Sequence, residues 1–184
     1  MGSLLDTLGA IVLAALFILT VYNATFNLQA TAYDNRMQAT LTKVSEKVVD
    51  ALDSYYLSKV GAGVYNNQII IAEPNRFKFR GRFLEHPNRI DVIEIVQGDS
   101  ISGKGFPLEV YKNDQPDLGP FWLSKPANFT YYDAVEEETT DRNDIYSMKC
   151  ELDFFYKSFT EEMGISILKN KIVFWQYFKN LYLQ

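Results

Sequence analysis

Cysteine and histidine are nearly absent: the 184 residues hold one of each, Cys150 and His86. A single cysteine excludes a disulfide framework and a multi-cysteine metal site within one chain. A single histidine removes most histidine-based metal and triad chemistry. A basic excess is also missing, since 18 Lys and Arg stand against 23 Asp and Glu for a formal charge of −5. That balance argues against a dedicated nucleic-acid binder. What remains is ordinary for a globular protein, 47% hydrophobic and 22% charged, except that aromatics reach 15%.

Two further absences are local. No charged residue occurs from Thr7 to Tyr33, and no proline or glycine occurs between Ala10 and Val60. The first gap contains an apolar run from Leu8 to Tyr22, with Leu8, Ile11, Val12, Leu13, Leu16, Phe17, Ile18, Leu19 and Val21 strongly apolar. At their usual transfer values these favour membrane insertion by about 3 to 5 kcal/mol. Asp6 sits at the outer edge, where a carboxylate stays near the interface at little cost. A cleaved signal peptide is disfavoured, because no Lys or Arg precedes the run and the helical pattern continues past any cleavage point. A retained membrane or assembly helix is the better reading.

The second gap lets that helix continue. Tyr33, Met37, Leu41, Val44, Val48, Leu52 and Tyr55 recur at steps of 4, 4, 3, 4, 4 and 3, an amphipathic stripe expected to pack on a sheet. Gly61-Ala62-Gly63 after Lys59 is the stop signal. One helix from Leu4 to Lys59 would span roughly 84 Å. The remaining chain, about 125 residues, should form a domain with a radius of gyration near 14 Å. Such a domain can cover about half of the helix, so the N-terminal half must be sheltered by lipid or by copies of itself. The alternative is two helices with a bend around Asn23 to Asn27, where β-branched and amide residues weaken helix propensity.

The rest reads as β structure. Expected strands are Gln68 to Ala72, Arg76 to Leu84, Arg89 to Gln97, Leu108 to Tyr111, Asn128 to Ala134 and Ile145 to Tyr156, with one or two closing strands in Ile165 to Leu183. Arg76, Lys78, Arg80 and Arg82 alternate with Phe77, Phe79 and Phe83. Asp91 and Glu94 are expected to oppose that basic face across a hairpin. The alternation slips near Ile93, which predicts a bulge or burial on both faces. Gly98 to Gly105, Asn113 to Pro120 and the acidic Glu136 to Asp144 are expected loops. The whole is α+β: a long N-terminal helix, apolar first and amphipathic second, followed by an antiparallel sheet. The expected division is residues 1–33 as hydrophobic helix and 34–184 as head, made of a helix half 34–60 and a sheet 64–184.

This order is similar to that of the type IV pilin and pseudopilin superfamily. The hairpin N-R-F-K-F-R-G to N-R-I-D-V-I-E-I (Asn75 to Ile95) resembles the central hairpin of minor pilins of the W type and pseudopilins of the J type. N-F-T-Y-Y-D (Asn128 to Asp133) and I-Y-S-M-K-C-E-L (Ile145 to Leu152) resemble later strands of such proteins. The resemblance implies a subunit held in the inner membrane by its apolar helix, with its head periplasmic or extracellular, that leaves the bilayer to pack in a filament. Its partners would be copies of itself or related pilins. Asp6, Gly9, Ala10, Ala14 and Phe17 would then carry assembly. Asp6 stands where such subunits usually have Glu, and their mid-helix proline is missing.

Other constellations are weaker. The basic strand face is expected to be a solvated face, and the acidic loop lacks calcium-ligand spacing. Cys150 is expected to be a core residue. No catalytic residue, cofactor, metal, nucleic acid or small-molecule substrate is expected. The alternatives to a filament subunit are a single-pass accessory subunit that never polymerises and a membrane-anchored periplasmic module using the aromatic-rich sheet for glycan or protein ligands.

Overall fold

The computed structural model describes residues 2–157 and 167–182. The described residues divide into two compact units, 2–40 with 157 and 167–168, and 41–156 with 169–182. The protein is α+β, with a long N-terminal helix and an antiparallel sheet.

Helix α1 (Gly2–Asp50) is one uninterrupted helix, with no break at Asn23 to Asn27. It continues as a π-helical turn (Ala51–Tyr56) and a 3-10 turn (Leu57–Lys59). The chain then leaves through Gly61 and Gly63, at φ +72° and +65°, conformations that glycine adopts without Cβ strain. In the π turn the Leu57 N–H reaches back five residues to Leu52 O. This wider turn brings Tyr56 rather than Tyr55 beneath Leu52, and Tyr56 is buried while Tyr55 is exposed.

Among the described residues the strands form one eight-stranded sheet: β1 (Ile69–Glu73), β2 (Arg76–Arg82), β3 (Ile90–Gln97), β4 (Phe106–Lys112), β5 (Gln115–Leu123), β6 (Asn128–Tyr132), β7 (Ser147–Lys157) and β8 (Ile167–Tyr177). Their order is β1-β2-β3-β4-β5-β7-β6, and β8 also pairs with β7. The sheet curls until β6 meets the β1–β2 turn, where Phe129 N–H donates to Pro74 O at 2.8 Å and the Tyr131 hydroxyl to Glu73 O at 2.8 Å. Phe77, Phe79, Phe83, Ile93, Ile95, Leu108, Leu123, Met148, Cys150 and Leu152 fill the concave side. A short helix α2 (Lys179–Tyr182) follows β8. Of the expected closing segment, Ile165, Ser166 and Leu183 lie outside the described residues.

Two expectations change here. Asn113 to Pro120 is not a loop. Asn113 and Asp114, at φ +54° and +62°, form a two-residue turn, the geometry that suits a tight hairpin. β5 then runs through Pro116, Gly119 and Pro120. Among the described residues its other edge pairs with β7 only at Leu123↔Phe154, and an edge strand tolerates proline because no ladder bond is lost. The β2–β3 ladder runs without a bulge from Arg76↔Val96 to Arg82↔Ile90. Alternation therefore holds, and Asp91 shares the buried face with Ile93 and Ile95 instead of opposing the basic residues. Glu94 does oppose them, facing Lys78.

Candidate membrane and assembly helix

Leu16, Phe17, Ile18 and Leu19 are consecutive, so at about 100° per residue they point to every side of α1. They are 55%, 70%, 66% and 57% exposed. Exposure of large apolar groups extends from Leu4 to Leu28, and the helix is long and apolar enough to cross a membrane. The uncharged stretch from Thr7 to Tyr33 covers roughly 40 Å, more than the ~30 Å hydrocarbon core.

Polar side chains in this stretch are partly self-contained. The hydroxyls of Thr7, Thr20, Thr25 and Thr31 each donate to the carbonyl four residues back, at 2.7, 2.8, 2.8 and 2.9 Å. A threonine satisfied in this way carries no free donor into hydrocarbon. The small residues stand open: Gly9 has nothing within 4 Å of where a Cβ would be, and Ala10 and Ala14 are exposed with Asp6 and Phe17. Such positions permit close approach of another helix.

Further along α1 the buried positions are Leu41, Ser45 and Val48, followed by Leu52 in the π-helical turn. Met37 is half-buried, whereas Tyr33 and Val44 are exposed. Ser45 takes the inward place that the apolar stripe assigns to Val44. Its Oγ accepts a hydrogen bond from Asn170 Nδ2 at 2.5 Å and donates to Thr42 O at 2.9 Å, which satisfies a hydroxyl that burial would otherwise penalise.

A polar cluster pins the end of the helix to the sheet. Tyr56 donates to Asp117 Oδ2 at 2.6 Å and Tyr55 to Glu85 Oε1 at 2.8 Å. Lys112 Nζ lies 3.4 Å from Glu85 Oε2, 3.7 Å from Asp91 Oδ2 and 4.5 Å from the Phe83 ring centroid. Gly81 is needed at this junction, since a Cβ there would sit 2.1 Å from Lys59 O. Asp91 Oδ1 accepts from Arg89 Nε at 2.7 Å and from Asn113 Nδ2 at 2.8 Å. Burial pushes the Asp91 carboxyl upward, but the hydrogen bonds from Asn113 and Arg89 and the charges of Arg89 and Lys112 outweigh it and hold the group below its ordinary value. Burial also raises Glu94, and Lys78 and Arg76 more than reverse it.

Both carboxylates bind a proton less readily folded than unfolded, so the unfolded chain gains the extra proton as pH falls. Head stability is expected to be flat above about pH 5 and to decline below about pH 4, the usual carboxylate range. Denaturant midpoints measured from pH 7 to pH 2 check this, and Asp91→Asn should make the acid decline shallower. An unchanged slope would remove Asp91 from the account.

Among the described residues no group of three or more metal-ligating side chains occurs. No protein-family model matches the chain, and neither a curated protein nor a solved structure does.

Proposed function

We propose that the chain is a membrane-anchored subunit of a pilin-like or pseudopilin-like filament, polymerised through the N-terminal part of α1. The observation that carries this reading is the exposure of Leu16 to Leu19 on all sides of one continuous helix. A helix apolar all round is stable only where its whole circumference is buried. Lipid meets that requirement, and so does a bundle of like helices. A face-specific partner would leave the other sides in water. The continuity of α1 from Gly2 to Asp50 supports the reading, because no loop separates the apolar stretch from the helix positions that are buried at Leu41, Ser45 and Val48.

In such a bundle Asp6 enters a low-dielectric setting, where an unpaired carboxylate costs several kcal/mol. Between Asp6 and Arg36 the helix carries no Lys or Arg, so the cation that pairs with Asp6 comes from another molecule. Asp6→Ala is expected to reduce filament yield at least tenfold while the protein still accumulates in membranes. Negative-stain microscopy of sheared material and immunoblots of the membrane fraction measure the two quantities. Unchanged yield would reject pairing by Asp6. Discrete particles in place of filaments for the unmodified chain would reject polymerisation and favour an accessory subunit.

A further inference from the structure

The outer face of β2 carries four basic side chains, and the sheet neutralises only half of them. Arg76 and Lys78 share Glu94, at 2.5 and 2.8 Å, and Lys78 also reaches Asp114 at 3.1 Å. Farther along the strand, Arg80 and Arg82 stand opposite Val92 and Ile90. Those neighbours carry no charge, and among the described residues no carboxylate pairs with either guanidinium. An arginine on a protein of net charge −5 would find a carboxylate at little cost if only solubility mattered.

Arg80 is half-buried and lines an open groove of about 450 Å³ together with Gly63, Tyr65, Asn66, Ile90 and Val92. Arg82 lies across Gly63, where a Cβ would come within 3.0 Å of the guanidinium carbon. Tyr65 is 81% exposed, so a large flat ring stands open in the same groove as Arg80. The walls are held in place. Gly61 N–H donates to Arg80 O at 2.9 Å, Arg82 N–H to Ala62 O at 2.9 Å, and Arg80 N–H to Gln68 O at 2.7 Å. The Gln68 side chain caps the loop carbonyls of Val64 and Tyr65 at 3.3 and 3.1 Å. A preformed site loses little freedom on binding.

The same bonds select the ligand. The backbone N–H and C=O of Arg80 are both occupied, so an extended peptide finds no free strand edge to join, the interaction that gives such peptides most of their affinity. At Arg80, recognition therefore falls to the side chain. The planar guanidinium fork matches a carboxylate with two parallel hydrogen bonds. The Asn66 amide offers both a donor and acceptors to hydroxyls, and the Tyr65 ring offers an apolar face.

We propose that this groove binds an acidic saccharide, with the carboxylate on Arg80, Arg82 as the second cation and the sugar face against Tyr65. The site is independent of the filament reading, because no residue of α1 contributes to it.

The test uses the full chain in nanodiscs, titrated calorimetrically with an oligogalacturonate. Its methyl ester, tetraglutamate and inorganic phosphate are the comparison ligands. The free acid is expected to bind saturably. Arg80→Gln should weaken it at least about tenfold, the effect of losing a charge-assisted hydrogen-bonded pair. Tyr65→Ala, at a position too exposed to support the fold, should weaken it several-fold. Arg76→Gln, whose charge already belongs to Glu94, should leave it unchanged, and thermal melts of all three variants establish that they are folded. Binding of the ester as tight as the acid, equal binding of tetraglutamate or phosphate, equal loss in Arg76→Gln, or no binding of the free acid would each overturn the proposal.

Discussion

Phe77→Ala is expected to cost about 3–5 kcal/mol of head stability, the range for truncating a buried aromatic. Phe77 is fully buried and its ring joins three separate pieces of chain. It stacks on Phe178 at 5.7 Å with an interplanar angle of 9°, and meets Phe79 at 5.3 Å and Tyr131 at 5.5 Å. These partners come from β2 itself, from β6 and from the residue just ahead of α2. Each is held by its own backbone bonds, including Phe178 N–H to Tyr146 O at 2.9 Å, so the site cannot collapse easily onto the space left behind. Poor collapse places the cost at the upper end of the range. Against a total of about 5–15 kcal/mol for a typical domain, the variant keeps little margin. Urea unfolding of the full chain in micelles should show a lower midpoint at an unchanged slope. Tyr131→Phe, which removes the hydroxyl and its contacts to Glu73 O and, at 3.5 Å, Arg76 O, should cost about 1 kcal/mol. If the two variants cost the same, the aromatic junction is not what closes the curl of the sheet.

That junction was only half legible in the sequence. The alternation of Phe77, Phe79 and Phe83 with basic residues placed the three rings on one side, because side-chain direction in a strand follows parity. Nothing local pointed to Phe178 as the stacking partner, since the contact spans a hundred residues of chain. The inward place of Ser45 was given to Val44 for the same kind of reason. Hydropathy ranks Val44 above it, and the donor that makes Ser45 acceptable inside is Asn170 on β8. Placing Asp91 with Glu94 opposite the basic face led to the expected slip near Ile93, because a carboxylate on an apolar face is costly alone. The groups that hold it, Arg89, Lys112 and Asn113, include two from another strand and its turn. β5 was hidden by Pro116, Gly119 and Pro120, which mark loops unless the strand has an unpaired edge.

The long helix was legible because its signals are local: no breaker between Ala10 and Val60 and an apolar surface with no preferred side. The same locality explains why the acidic-saccharide groove was not. Tyr65 sits in a short loop with no pattern of its own, and the lack of partners for Arg80 and Arg82 follows from the register that puts Glu94 beside Lys78. Cross-strand register decides which charges are left over, and it is set by the whole sheet.

Leu13→Arg combined with Phe17→Arg is expected to abolish membrane association. The apolar segment favours insertion by about 3 to 5 kcal/mol in total. Each arginine near the centre of a spanning helix costs about 2.5–3.5 kcal/mol, so two bring the sum to zero or above. Leu13 and Phe17 lie on either side of the middle of the apolar run from Leu8 to Tyr22, so snorkelling relieves only part of this cost. The two positions are one turn apart and 69% and 70% exposed, so no packing within the chain is lost and the variant isolates solvation of the helix. Carbonate extraction should move the double variant from the membrane pellet to the supernatant or to degradation. A single Phe17→Arg should leave partial association, since one arginine does not cancel the whole preference. Val44→Arg, on an exposed part of α1 beyond the apolar segment, should extract like the unmodified chain. Retention of the double variant in the pellet would show that lipid is not what shelters this helix. The same double variant separates the two environments that an all-round apolar helix can occupy: a bilayer rejects the arginines by their hydration cost, whereas a bundle rejects them by volume as well. Leu13→Gln with Phe17→Gln, uncharged and less costly to insert, is therefore expected to remain in the membrane and yet to yield fewer filaments, and normal filaments from that variant would argue against close packing of this stretch between copies.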